Sequence, residues 1–281
     1  MDKQAVLDRA MSLPGAKRYE RYVAALCPFH GDSLPSLMVY PDRYQCLACG
    51  ASGKPEKLFA ETSLAPLGQQ TKEEYFPTIP YRMSADVLAY KANREIKNNQ
   101  AALSYLEDRG IAESVRRYRI GYWDGWFTVP ITNKEEEIIN IMFRAGEWVQ
   151  TQTHRRFYQF KGRAGMMMYC PDWELLEQAD KLFLVFGLFD AITLALLGYA
   201  SVTPTIGMFN FKPEWLDFWR KPIRIIPDKG EVPAANKLCA GFGDWRASVV
   251  QLKYPGGTKD CNDYLWKLKK PNLLRKEIER Q

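Results

Sequence analysis

From Lys181 to Tyr264 the chain alternates between short apolar runs and segments of helical period. Leu182 to Phe186, Ser201 to Ile206, Ile223 to Ile226 and Val249 to Lys253 read as buried strands. Ala191 to Leu197, Pro213 to Arg220 and Pro233 to Ala240 read as the helices between and after them. Alternation of this kind predicts a parallel sheet wrapped by crossover helices. Upstream, Ala85 to Arg94 and Gln100 to Arg109 carry helical periodicity, and Trp126 to Ile131 with Ile138 to Arg144 form a hairpin pattern around Asn133-Lys134-Glu135-Glu136. Nearer the N-terminus, Ala5 to Leu13 reads as a helix stopped by Pro14-Gly15, and Ser36 to Tyr40 and Arg43 to Cys46 read as strands. Glu61 to Arg82 holds Pro66, Gly68, Pro77 and Pro80 without periodicity and reads as a tether, part of it extended. Trp266 to Gln281 is helical in tendency and rich in Lys and Arg, suited to contacting nucleic acid or to closing the fold.

These patterns divide the chain into 1–60, 61–84, 85–178, 179–265 and 266–281. The class expected is α/β, a parallel sheet preceded by a basic α+β subdomain and by a small N-terminal module. Hydrophobic residues at 46% and charged residues at 26% suit a globular chain. No run of 18 apolar residues and no apolar leader is present, so no membrane partner and a cytoplasmic location are expected. The formal net charge of +6 makes a polyanion a plausible partner. Six cysteines in such a chain read as metal ligands or thiols rather than disulfides.

Four of the ligand-type residues stand at a telling spacing. Cys27 and His30 form a C-x2-H pair, Cys46 and Cys49 a C-x2-C pair, with fifteen residues between the pairs. Two tight pairs joined by a hairpin-length segment suit tetrahedral Zn²⁺, and four protein ligands with no open position make the ion structural. The module is therefore a zinc ribbon, and metal binding supplies much of its folding energy. Around it Lys17, Arg18, Arg21 and Arg43 are basic, and Tyr22, Tyr40 and Tyr44 can stack on bases.

A second constellation is acidic. Asp190, Asp228 and the pair Asp260/Asp263 each follow a strand candidate. Ligands of open α/β sheets bind beyond the carboxyl ends of the strands, and Mg²⁺ takes oxygen ligands, so these carboxylates are a candidate hard-metal site. Each aspartate taken singly reads more readily as a helix cap or turn residue; their joint placement, one per strand end, favours the metal site. Between the two constellations lies a basic cluster, His154, Arg155, Arg156, Lys161 and Arg163, interleaved with Phe157, Tyr158 and Phe160.

Cys27-Pro28-Phe29-His30, Leu34-Pro35-Ser36-Leu37-Met38-Val39 and Tyr44-Gln45-Cys46-x-x-Cys49-Gly50 resemble the zinc-binding domain of DnaG-type DNA primases. The order apolar strand, Gly187-x-x-Asp190-Ala191, strand, Asp228, then Pro255-Gly256-Gly257-x-Lys259-Asp260-x-Asn262-Asp263-Tyr264 resembles their Toprim domain. The resemblance implies template-directed synthesis of short RNA primers on single-stranded DNA from nucleoside triphosphates. Mg²⁺ or Mn²⁺ would be held by Asp190, Asp228 and Asp260, with Asp263 beside them. Arg144, Lys161 and Arg163 would handle triphosphate or strand. A replicative helicase or other replication proteins would be partners, and the short chain suggests a phage, plasmid or mobile-element form. Two positions depart from the family. Phe186 stands where it carries Glu, and Gly230 where it carries a second Asp, with Glu231 one residue on. The alternative these departures imply is a catalytically degenerate, primase-like nucleic-acid-binding or replisome accessory protein.

Overall fold

The computed structural model describes residues 3–29, 35–46, 51–62, 75–152, 157–160, 168–205, 208, 211–243 and 245–280. His30, Cys49, Lys161 and Arg163 lie outside the described residues. The chain divides into two compact units, Met1–Phe76 with Glu147–Arg156, and Pro77–Gly146 with Phe157–Gln281.

The first unit opens with α1 (Lys3–Ala10), whose Val6, Leu7 and Ala10 turn inward. The helix ends at Ala10, short of the Leu13 expected from sequence, and turns carry the chain on through Pro14 to Gly15, whose φ of +67° favours a residue without Cβ. A meander follows: β1 (Lys17–Arg18), β2 (Val23–Ala25), β3 (Leu37–Val39), β4 (Tyr44–Cys46) and β5 (Ser52–Gly53), antiparallel in chain order. In β4 Tyr44 and Cys46 are buried and Gln45 is exposed, the two-residue period of a half-buried sheet. α2 (Pro55–Thr62) adds Leu58 and Phe59 to the same core. Helix formation thus continues past residue 60, where the sequence suggests the tether begins.

The second unit begins with α3 (Ala85–Lys97), capped by Ser84, and α4 (Gln100–Asp108), capped by Asn99. After the single turn α5 (Ser114–Arg117) come β6 (Gly121–Trp123), β7 (Trp126–Thr132) and β8 (Ile138–Ala145). α6 (Glu147–Gln152) belongs to the first unit, where Trp148 meets Tyr75 edge-on with ring centroids 5.1 Å apart. β9 (Phe157–Gln159) completes an antiparallel sheet of order β6-β7-β8-β9. The extended chain before α3 packs within this unit, Trp123 Nε1 donating to the Thr78 carbonyl at 2.9 Å.

The remaining elements are β10 (Met168–Tyr169), α7 (Trp173–Gln178), β11 (Leu182–Leu184), α8 (Leu188–Leu196), β12 (Ser201–Pro204), β13 (Ile223–Ile225), α9 (Val232–Ala240), β14 (Ala247–Val249), α10 (Cys261–Trp266) and α11 (Pro271–Glu279). Their sheet has the order β10-β12-β11-β13-β14. β11, β12, β13 and β14 pair in parallel, as the sequence pattern implies. β10 pairs antiparallel with β12, an edge strand that the pattern does not reveal. The strand expected over Val249 to Lys253 is displaced to Ala247–Val249, because Ile223 pairs with Ala247 and Ile225 with Val249. The helix expected over Pro213 to Arg220 is only a 3-10 turn, Pro213–Leu216. The carbonyls of Leu216 and Trp219 accept from the buried Arg246 guanidinium instead of from a continuing helix.

Apolar side chains explain why this sheet is buried on both faces. Leu182 and Leu184 enter one cluster with Ile223 and Ile225; Phe183 and Val185 enter another with Ile192 and Ile226. The second cluster also takes Phe127, Val129 and Ile131 from β7, and Leu274 and Ile278 from α11. The basic tail therefore closes the fold through its apolar face.

Candidate active site

The strand order places the acidic residues. From β11 the chain crosses to β12 on one side, then passes over to β13 and β14 on the other. The reversal lies between β11 and β13, and a crevice opens beyond the carboxyl ends of strands at such a point. Asp190 comes from the first turn of α8 after β11, Asp228 from the turn after β13, and Asp260 from the N-cap of α10 after β14. Three neighbouring parallel strands thus deliver one aspartate each.

Backbone contacts bind these turns together. Lys229 N donates to the Lys259 carbonyl at 2.7 Å, joining the Asp228 turn to the Asp260 loop. Tyr254 Oη donates to the Pro227 carbonyl at 2.6 Å. Asn262 N donates to Asp190 Oδ1 at 2.8 Å, joining α10 to α8. A Cβ at position 187 would collide with Asp190 Oδ2, so glycine is required there for the carboxylate to lie against the backbone.

The carboxylates feel one another. Burial, then the charges of Asp260 and Asp228, push Asp190 well above the usual carboxylate range. Burial and Asp260 push Asp228 up to about 7, with Glu231 adding to the rise and Lys259 opposing it. Burial and Asp263 raise Asp260. Repulsion of this kind between partly desolvated acids is what a divalent cation relieves. The donors fit such an ion in chemistry and charge. They are not gathered into one coordination sphere: among the described residues no group of three or more His, Cys, Asp or Glu is placed to hold a metal. Two oxygens have other engagements, since Asp190 Oδ1 accepts from Asn262 N and Asp260 Oδ1 caps α10 through Asp263 N at 2.9 Å.

Asp263 has a different surrounding. It is 1% exposed, and its Oδ2 accepts from Lys259 N at 2.8 Å and from Lys267 Nζ at 2.9 Å. These are the contacts of a clasp closing the loop 255–263. Phe186, where the resemblance expects Glu, is half-buried and packs against the cluster of Leu184 and Ile225. Gly230 has φ +93° with open space around it, and Glu231 stands at the N-cap position of α9.

Two arginines border the acids. Arg144, on β8, lies 4.0 Å above the Phe189 ring, next to Asp190 in sequence. Burial lowers its pKa, while Tyr105 and Asp190 favour its charged form. Sequence reasoning missed Arg109 as a site residue. Its guanidinium lies 3.8 Å from the Trp266 ring centroid and donates to Asn262 Oδ1 at 3.1 Å, while its Nε is buried without a partner. Asn262 Nδ2 donates in turn to the Arg109 carbonyl and to Thr193 Oγ1, both at 3.0 Å. The signal was present as Arg109-Gly110-Ile111 after a predicted helix, but nothing local shows that this helix end reaches α10.

In the first unit, the register Ala25–Leu37–Cys46 brings Cys46 across β3 from the strand that leads to Cys27. The two thiols, 1% and 5% exposed, share one core at one end of the sheet. His30 and Cys49 follow them by three residues each, outside the described residues. Tyr44, expected as a base-stacking residue, is buried at 2% exposure beneath Gly53 and stacks on Phe29.

Comparison with known proteins agrees with this architecture. Residues 3–66 match the CHC2 zinc finger family, which implies zinc at the ribbon. A DNA primase of Legionella pneumophila is 27% identical over 150 residues, covering 46% of this chain and 26% of that protein. A DNA primase of Pseudomonas putida is 26% identical over 189 residues, covering 56% of this chain and 28% of that one. The chain thus spans about a quarter of the length of the curated relatives it matches. Its fold is similar to the zinc-binding and RNA polymerase domains of the Aquifex aeolicus primase, at TM-score 0.51 and 17% identity over 98% of this chain and 82% of that one. It is also similar to a DnaG primase catalytic domain solved with single-stranded DNA, at TM-score 0.53 and 16% identity over 69% of this chain and 76% of that one. Ribbon and core together therefore have the fold of the DnaG-type primases.

Proposed function

We propose that the chain joins ribonucleotides into short primers on a single-stranded DNA template. The observation that carries this reading is the delivery of Asp190, Asp228 and Asp260 by three adjacent parallel strands, beside Arg144 and Arg109. In the reaction the 3′-hydroxyl oxygen of the growing strand forms a bond to the α-phosphorus of the incoming triphosphate and gives up its proton to solvent water. The bond from that phosphorus to the bridging oxygen breaks, and pyrophosphate leaves. Asp228 and Asp260, with Asp190 beside them, would hold Mg²⁺ or Mn²⁺, which when bound neutralises charge on the phosphate oxygens.

The chain's own cations do the remaining positioning. Arg144 and Arg109 lie against aromatic faces; Arg109 spends one donor on Asn262 Oδ1 and Arg144 bonds Tyr105, and the remaining donors of each guanidinium are proposed to take phosphate oxygens. Lys161 and Arg163 are proposed to share that task. Phe186 has no atom that accepts a proton, so no side chain at that position assists the attacking hydroxyl. The three strand-end aspartates speak against a purely accessory role, since nothing in packing requires buried acids that repel one another. Asp263 is proposed to hold the catalytic loop. The zinc ribbon would engage the template, and a replicative helicase in the bacterial or phage-infected cytoplasm would be the natural partner.

Primer synthesis on single-stranded DNA tests this. Activity should require a divalent cation and fall at least ~100-fold in Asp228→Ala. Running ribo- and deoxyribonucleotides in parallel identifies the product. Synthesis that survives Asp228→Ala at the wild-type rate sinks the assignment.

A further inference from the structure

Arg144 and Arg109 come from different elements, one from β8 and one from the end of α4, yet they share their surroundings. The Phe189 ring centroid lies 4.0 Å from the Arg144 guanidinium and 6.0 Å from that of Arg109. Tyr105 is the second shared residue. It stands four positions before Arg109, the spacing that puts two side chains on one helical face. Its ring centroid lies 5.2 Å from the Arg109 guanidinium, and its hydroxyl oxygen accepts from Arg144.

Packing fixes the Tyr105 ring. It is partly buried against the larger core cluster and stacks on Phe127 of β7, 5.0 Å apart and 24° from parallel. Phe127 is buried and meets Phe189 edge-on at 6.3 Å. It is also the residue directly opposite Arg144 in the β7–β8 register, so the two side chains leave the same face of the sheet. The stack on Phe127 needs only the ring, which leaves the hydroxyl without a packing duty. The two cations, by contrast, need holding. Burial disfavours the charged Arg144 most, and the like charge of Arg109 adds to that cost, while Tyr105 and Asp190 oppose it. A packed tyrosine that seats one guanidinium on its face and bonds the other through its oxygen fixes their separation before any anion arrives.

We propose that Tyr105 is a positioning residue that sets the spacing of the Arg109 and Arg144 guanidiniums, so that together they take neighbouring phosphate groups of one polyphosphate anion. This rests on the proposed handling of triphosphate by the two arginines and names the residue that prepares them. Tyr105 acts through the arginines and is assigned no contact with the anion itself.

The test is isothermal titration of the full, zinc-loaded chain with inorganic tripolyphosphate in magnesium-free buffer. Tyr105→Phe keeps the stack on Phe127 and removes the bond to Arg144, so it should bind roughly tenfold more weakly, as expected for one hydrogen bond to a charged group. Its zinc content and melting temperature should match wild type. Tyr105→Leu also loses the face beside Arg109 and should bind a further ~2- to 5-fold more weakly. Arg144→Gln should lose at least as much as Tyr105→Phe. Adding Tyr105→Phe to Arg144→Gln should then cost less than about twofold more, because the hydroxyl acts only through Arg144. A tyrosine with a merely structural role would add its loss in full. Should Arg144→Gln fail to fold, Arg144→Lys takes its place in the cycle under the same criterion. A phenylalanine variant that binds like wild type overturns the proposal, as do an additive double variant and a wild type that binds no tripolyphosphate. A leucine variant no weaker than the phenylalanine one overturns the shared seat for Arg109. Primer synthesis is read in parallel, where Tyr105→Phe should raise KM for nucleoside triphosphate more than it lowers kcat. A chain that makes no primer but shows the coupled loss of tripolyphosphate keeps Tyr105 and sinks only the polymerase reading. Primer synthesis with an unchanged KM in Tyr105→Phe sinks Tyr105 and leaves that reading standing.

Discussion

Asp228→Asn removes one negative charge from a place where three acids repel one another, and its effect on stability can be worked from the structure. Burial and the neighbouring Asp260 push the Asp228 carboxyl from 3.8 up to about 7. A tenfold change in proton affinity is worth about 1.4 kcal/mol, which sets a ceiling of about 4 kcal/mol on the strain of ionising Asp228 in the folded protein. An acid that holds its proton more tightly when folded favours folding fully below pH 3.8. That contribution is lost as pH rises from there through about 7. At pH 8 the whole strain is therefore present unless a cation relieves it. Asparagine is of similar size and carries no charge, so it should recover about 1–3 kcal/mol of that ceiling. For a unit of this length 1 kcal/mol corresponds to about 2–4 °C, so the melting temperature at pH 8 should rise by roughly 2–12 °C. The assay is thermal unfolding in magnesium-free buffer without chelator, which would also strip the ribbon. Wild type should lose a further ~1 kcal/mol between pH 6 and pH 8, and the variant little of it. Added Mg²⁺ should stabilise wild type at pH 8 more than the variant. An Asp228→Asn protein that melts at or below wild type at pH 8 would refute the electrostatic account of the site.

Four further outcomes follow from particular contacts. Gly187→Ala should displace the Asp190 carboxylate, costing about 1–3 kcal/mol and most of the primer synthesis; wild-type melting and activity would show that the close approach is unimportant. Arg109→Lys keeps the charge but loses the planar fork over Trp266, so KM for nucleoside triphosphate should rise about tenfold or more while zinc content stays fixed; an unchanged KM removes Arg109 from the site. Cys46→Ser should release about one zinc per chain and unfold the ribbon, read by elemental analysis and by proteolysis near residues 3–66; a zinc-replete variant would contradict the ligand assignment. Phe186→Glu exchanges a ring packed on the β11–β13 cluster for a partly buried acid, so stability without magnesium should fall by about 2–4 kcal/mol. A stable, magnesium-independent variant would show that Phe186 does not pack as described.

Features set by near neighbours along the chain are legible in the amino-acid order alone. Ser84 and Asn99 cap α3 and α4, and the two-residue period of β4 is written in Tyr44-Gln45-Cys46. The apolar runs of β11 and β13 likewise announce strands buried on both faces. Local rules failed where a distant group intervened. Arg246 takes the carbonyls of Leu216 and Trp219 and limits Pro213–Leu216 to a 3-10 turn; β12 recruits Met168–Tyr169 as an antiparallel edge. The spacing of Asp190, Asp228 and Asp260 pointed to strand ends, but only the order β11-β13-β14 makes those ends neighbours. Asp263 and Tyr44 looked like site residues in the sequence, and tertiary contacts turned one into a clasp on Lys267 and the other into core. Arg109 entered the site because Asn262, 153 residues later, accepts its hydrogen bond. Periodicity reports which way a side chain points from its own element; which other element it then meets is decided by packing across the fold.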